Sequence, residues 1–120
     1  MRKLILLTSL ALLVAIPAVA GGHTPSTNKT YTVKVGDDFF SPTKKTIHVR
    51  DIVKWVWVGE DGKRGTTINE HSIVETKDRF KPSPSKTEGT FKYRFKKAGK
   101  YTIVCGEHPE DMIFRVTVKK

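Results

Sequence analysis

The sequence predicts an all-β protein, a Greek-key sandwich or barrel of six to eight strands, and three observations lead there. From Tyr31 onward apolar residues alternate with polar ones, the period of a strand with one face buried. The breaks between these runs carry turn chemistry: Ser41-Pro42, Glu60-Asp61-Gly62, Lys81-Pro82-Ser83-Pro84 and Ala98-Gly99-Lys100. No stretch keeps a convincing helical period. Many short strands separated by turns close most simply into two packed sheets.

Length and composition fit that reading. The chain has 120 residues, 38% of them hydrophobic and 9% aromatic, with one cysteine. That is enough for one domain, and it excludes collagen-like repeats, a disulfide scaffold and a multi-pass membrane protein.

Residues 1–20 stand apart from the domain. Arg2 and Lys3 precede a run from Leu4 to Ile16 that is apolar except at Thr8 and Ser9, and Ala18-Val19-Ala20 has the small-x-small form of a cleavage site. This reads as a secretory signal peptide. The apolar run is short for a spanning helix, which needs about 20 residues, and Pro17 breaks it. The expectation is export to the periplasm or outside the cell, with no stable membrane insertion after cleavage. Residues 21–30, polar and with Pro25, read as a flexible N-terminal tail, and residues 31–120 as the domain.

Within the domain, Tyr31, Val33 and Val35 alternate with Thr32 and Lys34, and Ile47 and Val49 with His48 and Arg50. His48 thus falls on the outward side and reads as a surface histidine. Ile52 to Val58 is apolar on both sides except at Lys54, the pattern of a central strand buried on both faces. The stretch Glu75 to Glu88 is polar and proline-bearing, and fits either a short helix or an irregular loop. Phe91, Tyr93 and Phe95 alternate with Lys92, Arg94 and Lys96; Tyr101, Ile103 and Cys105 share one parity, as do Phe114, Val116 and Val118.

Charge and cysteine are read in the light of export. Residues 21–120 hold 20 Lys+Arg against 12 Asp+Glu, a net charge of +8. The basic residues are scattered over strand positions, which argues against nucleic acid and for steering toward an acidic partner. A single cysteine in an oxidising compartment is intermolecular, buried and inert, catalytic, or bound to a metal.

The last of these fits its surroundings. Cys105, His108 and Met112 lie within eight residues between two predicted strands, and His71 opens the upstream run Ser72-Ile73-Val74. Two imidazoles, a thiolate and a weak thioether are the donor set of a blue-copper electron-transfer site.

At these residues the chain resembles the cupredoxins, the small plastocyanin, amicyanin and pseudoazurin type, across essentially all of residues 31–120. Phe40-x-Pro42 is similar to the family's entry segment, and Asp51-Ile-Val-Lys-Trp55 to its G-D-x-V-x-W strand. His71-Ser-Ile-Val resembles the first-ligand strand, and Gly99-Lys-Tyr101-Thr-Ile-Val-Cys105 the G-x-Y-x-x-x-C strand. The resemblance implies one type 1 copper held by His71, Cys105, His108 and axial Met112. It implies an electron carrier and not an enzyme, monomeric, passing single electrons to a redox partner by an outer-sphere route. Two departures stand out. Arg50 replaces a frequent glycine, and three residues separate His108 from Met112 where amicyanin-like loops have two and plastocyanin-like loops four. The competing readings are a copper carrier or storage module without electron transfer, and a metal-free structural sandwich.

A second copper site is expected if cleavage follows Ala20. The chain would then begin Gly21-Gly22-His23, whose amine, peptide nitrogens and imidazole suit square-planar Cu(II).

Overall fold

The computed structural model describes residues 14–15 and 28–120. The signal-peptide reading of residues 1–20 (Val14 and Ala15 apart) and the Gly21-Gly22-His23 site therefore lie outside the described residues. Among the described residues no helix is long and apolar enough to cross a membrane.

Eight strands follow in order: β1 (Thr30–Gly36), β2 (Phe39–Ser41), β3 (Lys44–His48), β4 (Ile52–Trp57), β5 (Ile73–Glu75), β6 (Thr90–Arg94), β7 (Gly99–Cys105) and β8 (Ile113–Lys119). They form two four-stranded sheets, β2-β1-β4-β6 and β3-β8-β7-β5. Both sheets are mixed: β1–β4 and β3–β8 pair in parallel, and the other pairs are antiparallel. The short segment between β2 and β3 carries the chain from the first sheet to the second. All-β architecture with eight strands is as the alternation predicts.

The core follows from that alternation. Val33 and Val35 of β1, Trp55 and Trp57 of β4, Ile103 and Cys105 of β7 and Phe114 and Val116 of β8 all point between the sheets and are buried. Register aligns them in rows, Val33 beside Trp55 and Trp55 beside Phe91 in one sheet, Ile103 beside Phe114 in the other. Trp55 and Phe114 meet edge to face across the sandwich, ring centroids 6.2 Å apart. Each such side chain contributes about 1.5–3 kcal/mol when fully buried.

Three expectations are refined. β4 is central, but Ile52, Lys54 and Val56 are only half-buried, because a two-layer sandwich leaves nothing to cover its outer face. The stretch from Glu75 to Glu88 is no helix: Glu75 ends β5 and the chain then runs irregularly, touching the sheet through a bridge between Lys86 and His71. Pro82 and Pro84 lack the N–H a helix needs, while Phe80 anchors the segment by stacking on Tyr93. Phe95 is buried as its parity predicts but lies just past β6, whose edge position leaves Phe91 and Tyr93 half-exposed.

Arg50 occupies a turn with φ of 78°, in the left-handed region that glycine adopts most easily. Asp51, almost fully buried, braces this turn by accepting the His48 and Lys29 backbone N–H groups at 2.8 and 2.9 Å.

Candidate metal centre

The antiparallel hairpin of β7 and β8 sets the position of the thiol. Val104 pairs with Ile113, so residues 105–112 must turn back immediately. The turn closes on its own backbone: Cys105 N–H donates to the Met112 carbonyl at 3.1 Å, and Met112 N–H to the His108 carbonyl at 3.1 Å. Residues seven and four apart in sequence are thereby held side by side. On the other flank Ile73 pairs with Cys105. His71 is fixed two residues earlier by reciprocal backbone bonds with Lys86, at 3.0 and 3.1 Å.

These constraints bring three donors together. Cys105 Sγ lies 3.6 Å from His71 Nδ1 and 3.7 Å from His108 Nδ1, and all three atoms are within 4.8 Å of one another. His71 and Cys105 are fully buried, whereas His108 is partly exposed. The two imidazole rings are 5.1 Å apart and tilted by 44°. Metal–sulfur and metal–nitrogen bonds of about 2.3 and 2.0 Å in a trigonal set space sulfur and nitrogen about 3.7 Å apart. The observed separations fit one ion bound by all three. Met112, which ends the loop that carries Cys105 and His108, is fully buried. His48 is exposed on β3, opposite Lys119, as its parity predicts.

Four polar residues outside the predicted donor set complete the surroundings: Asp37, Ser72, Ser85 and Glu107. Asp37, in the β1–β2 turn, places Oδ1 3.0 Å from His71 Nε2, while its carboxylate also accepts the Ile68 and Asn69 backbone N–H groups at 2.7 and 2.9 Å. Burial opposes its charge, but these N–H donors and His71 outweigh it and hold the carboxyl at about 2. An Nε2–H donated to this carboxylate leaves the Nδ1 lone pair facing the other donors. Glu107 and Ser72 form the other partnership. Glu107 Oε2 accepts from the Ser72 hydroxyl at 2.8 Å and from the Cys105 thiol at 3.2 Å, and Oε1 accepts from the Ser85 hydroxyl. Here too burial is outweighed, by the two serine hydroxyls and the thiol, and the carboxyl is held at about 2. The thiol itself is pushed up, chiefly by burial and further by Glu107, against backbone N–H groups of Ser72, Glu107 and His108. A thiol so disposed keeps its proton until a cation replaces it.

An Asp-Asp pair after a strand looks like any turn, so Asp37 carried no sequence signal. Glu107 had only its place between Cys105 and His108.

No protein-family model matches the sequence, and no curated protein matches it. Among solved structures, the chain is similar to the reduced Cu(I) form of an amicyanin variant at pH 4, with TM-score 0.61 and 21% identity over 75% of this chain and 82% of that one. It is similar to a purple cupredoxin from Nitrosopumilus maritimus, with TM-score 0.59 and 22% identity over 73% of this chain and 98% of that one. A copper-containing nitrite reductase from Thermus scotoductus matches at TM-score 0.59 and 22% identity over 76% of this chain, which spans 22% of the reductase.

Proposed function

The chain has the cupredoxin fold, and from that premise we propose that it is an exported type 1 copper protein that carries single electrons between redox partners. The observation that carries the reading is the buried Cys105 sulfur with two imidazole Nδ1 atoms at 3.6 and 3.7 Å. Sulfur and imidazole donors together serve both Cu(I) and Cu(II), and copper supplies the one-electron chemistry when bound.

The chain's own residues supply the rest of the role. His71 is locked between its backbone bridge and Asp37, so its ring has no freedom to follow a change of oxidation state. Cys105 sits at the end of a strand paired on both sides. Such rigidity keeps reorganisation small. His108, partly exposed, would be the donor through which a partner exchanges an electron, and Met112 would be the fourth residue to hold the copper. The leader-like residues 1–20 support export, and the +8 charge of residues 21–120 supports an acidic partner. We read the protein as a monomer that does no substrate chemistry of its own and binds no nucleic acid.

The decisive experiment is the visible spectrum of protein loaded with Cu(II), before and after ascorbate. An intense blue or purple band, bleached on reduction and absent from Cys105→Ser, is the expected result. Stoichiometric Cu(I) binding with no such band from Cu(II) would instead indicate copper carriage, and absence of binding a metal-free sandwich.

A further inference from the structure

Glu107 lies two residues after the thiol and one before His108, yet it behaves unlike an ordinary surface carboxylate. The residue as a whole is exposed, but both oxygens are engaged on the inner side of the loop. Ser72, next to His71, holds Oε2; Ser85, in the irregular segment before β6, holds Oε1. Two separate parts of the chain thus hold the carboxylate beside Cys105 Sγ, at 3.2 Å while the thiol keeps its proton.

The backbone is shaped to permit this. Gly106 N–H donates to Ser72 Oγ at 3.2 Å, so the same hydroxyl that grips Glu107 also fixes the residue before it. A Cβ at position 106 would come within 2.5 Å of that oxygen, which ties the glycine to the clamp. Charge is the consequence. A fixed negative group beside the sulfur stabilises whichever state of the centre is more positive. Going from Cu(II) to Cu(I) adds one electron and removes one positive charge, with no proton needed for balance.

We infer that Glu107, clamped by Ser72 and Ser85 beside the Cys105 sulfur, is a positioning residue that favours Cu(II) over Cu(I) and so sets a low reduction potential for the centre. The inference rests on the copper reading above and extends it to a residue outside the donor set. A unit charge within about 4–6 Å commonly shifts a charging equilibrium by tenfold or more.

The test is a redox titration of the copper-loaded full chain, followed by its visible spectrum, in the wild type and in Glu107→Gln and Ser85→Ala. Glu107→Gln keeps the side chain's size and its ability to accept from a hydroxyl but removes the charge. It should retain the charge-transfer band and shift the Cu(I)-over-Cu(II) preference up about tenfold, equivalent to about 59 mV for a one-electron couple. Ser85→Ala alters an exposed residue that touches no donor, and by loosening the carboxylate should move the potential the same way by less. Should Glu107→Gln fail to hold copper, the shift in Ser85→Ala decides alone. An unchanged potential with the band intact in both variants overturns the inference. Failure of the copper reading is seen separately, as the absence of the band in the wild type before any substitution, and it removes this inference as well.

Discussion

At the scale of single residues, the centre depends on groups that do different work. Met112 is fully buried, so it fills space whether or not its sulfur reaches the metal. Met112→Leu conserves most of that volume and should cost less than about 1.5 kcal/mol of stability. If the thioether is the axial donor, its loss destabilises Cu(II) more than Cu(I), and the potential measured by redox titration rises while the colour remains. An unchanged potential would show that Met112 serves the core alone. Asp37 meets His71 at Nε2, the ring nitrogen other than the Nδ1 that faces Cys105. Asp37→Ala frees Nε2 and the turn it caps, and is expected to weaken copper binding about 10–100-fold in a competitive chelator titration. Affinity equal to wild type would mean that the backbone bridge to Lys86 positions His71 without help.

At the scale of elements, the most exposed design problem is the join between β5 and β6, edge strands of different sheets. The chain spans it without regular structure and, besides its backbone bonds to Ile73 and His71, holds it by two side-chain anchors. One is aromatic: Phe80 stacked on Tyr93, with Phe95 edge-on to both and to Tyr101. The other is ionic. Glu75 is buried at the end of β5 and accepts the Arg79 guanidinium at 3.1 and 2.6 Å together with the Lys77 and Arg79 backbone N–H groups. Burial raises its carboxyl, but the Arg79 guanidinium and these N–H groups prevail, so it lies below its ordinary 4.5. A carboxyl depressed on folding gives stability that is fully present above its unfolded value and is lost as pH falls through the folded one. Melting temperatures of the metal-free protein should therefore fall below about pH 4.5, the unfolded value, and the fall should be shallower in Glu75→Gln. A parallel acid profile in that variant would locate the acid sensitivity elsewhere. Because Arg79 also covers the Tyr101 ring, 3.8 Å from the ring centroid, losing the pair loosens both anchors at once.

At the scale of the whole molecule, net charge and charge distribution say different things. Residues 21–120 carry +8, which attracts acidic partners from a distance. The cations, however, are spread over strands and loops, with Lys44, Lys100 and Arg115 on one sheet and Lys34, Lys54 and Lys92 on the other. Residues 36–41, 66–73 and 105–112, which meet at the donors, contain six carboxylates and no Lys or Arg, and the segment paired to His71 adds one cation, Lys86. The net charge thus draws an acidic partner from a distance, while the carboxylates near His108 act against it at short range. Electron exchange with small inorganic reagents measures the local field directly. A cationic complex should react faster than an anionic one of similar driving force at low salt, with the difference closing as the Debye length shortens to about 8 Å at physiological ionic strength. The opposite order would show that the net charge governs the approach.

The sequence by itself determined the all-β class, the inward rows and the place of Cys105 and His108 in one loop. Alternation is a local property, since side chains two apart share a face, so the inward rows Val33–Val35, Tyr101–Cys105 and Phe114–Val118 could be read without a partner strand. Cys105, His108 and Met112 were legible for a related reason: a hairpin closed by its own backbone keeps neighbours in sequence neighbours in space. His71 was legible from the donor types and the resemblance but not from spacing, since it is 34 residues from Cys105, and β5–β7 pairing had to supply the contact. Only the tertiary structure decided the outer face of β4, the irregular course after β5, and the Asp37 and Glu107 carboxylates beside the donors. Each of these depends on which distant segment lies alongside, and neither period nor spacing encodes that.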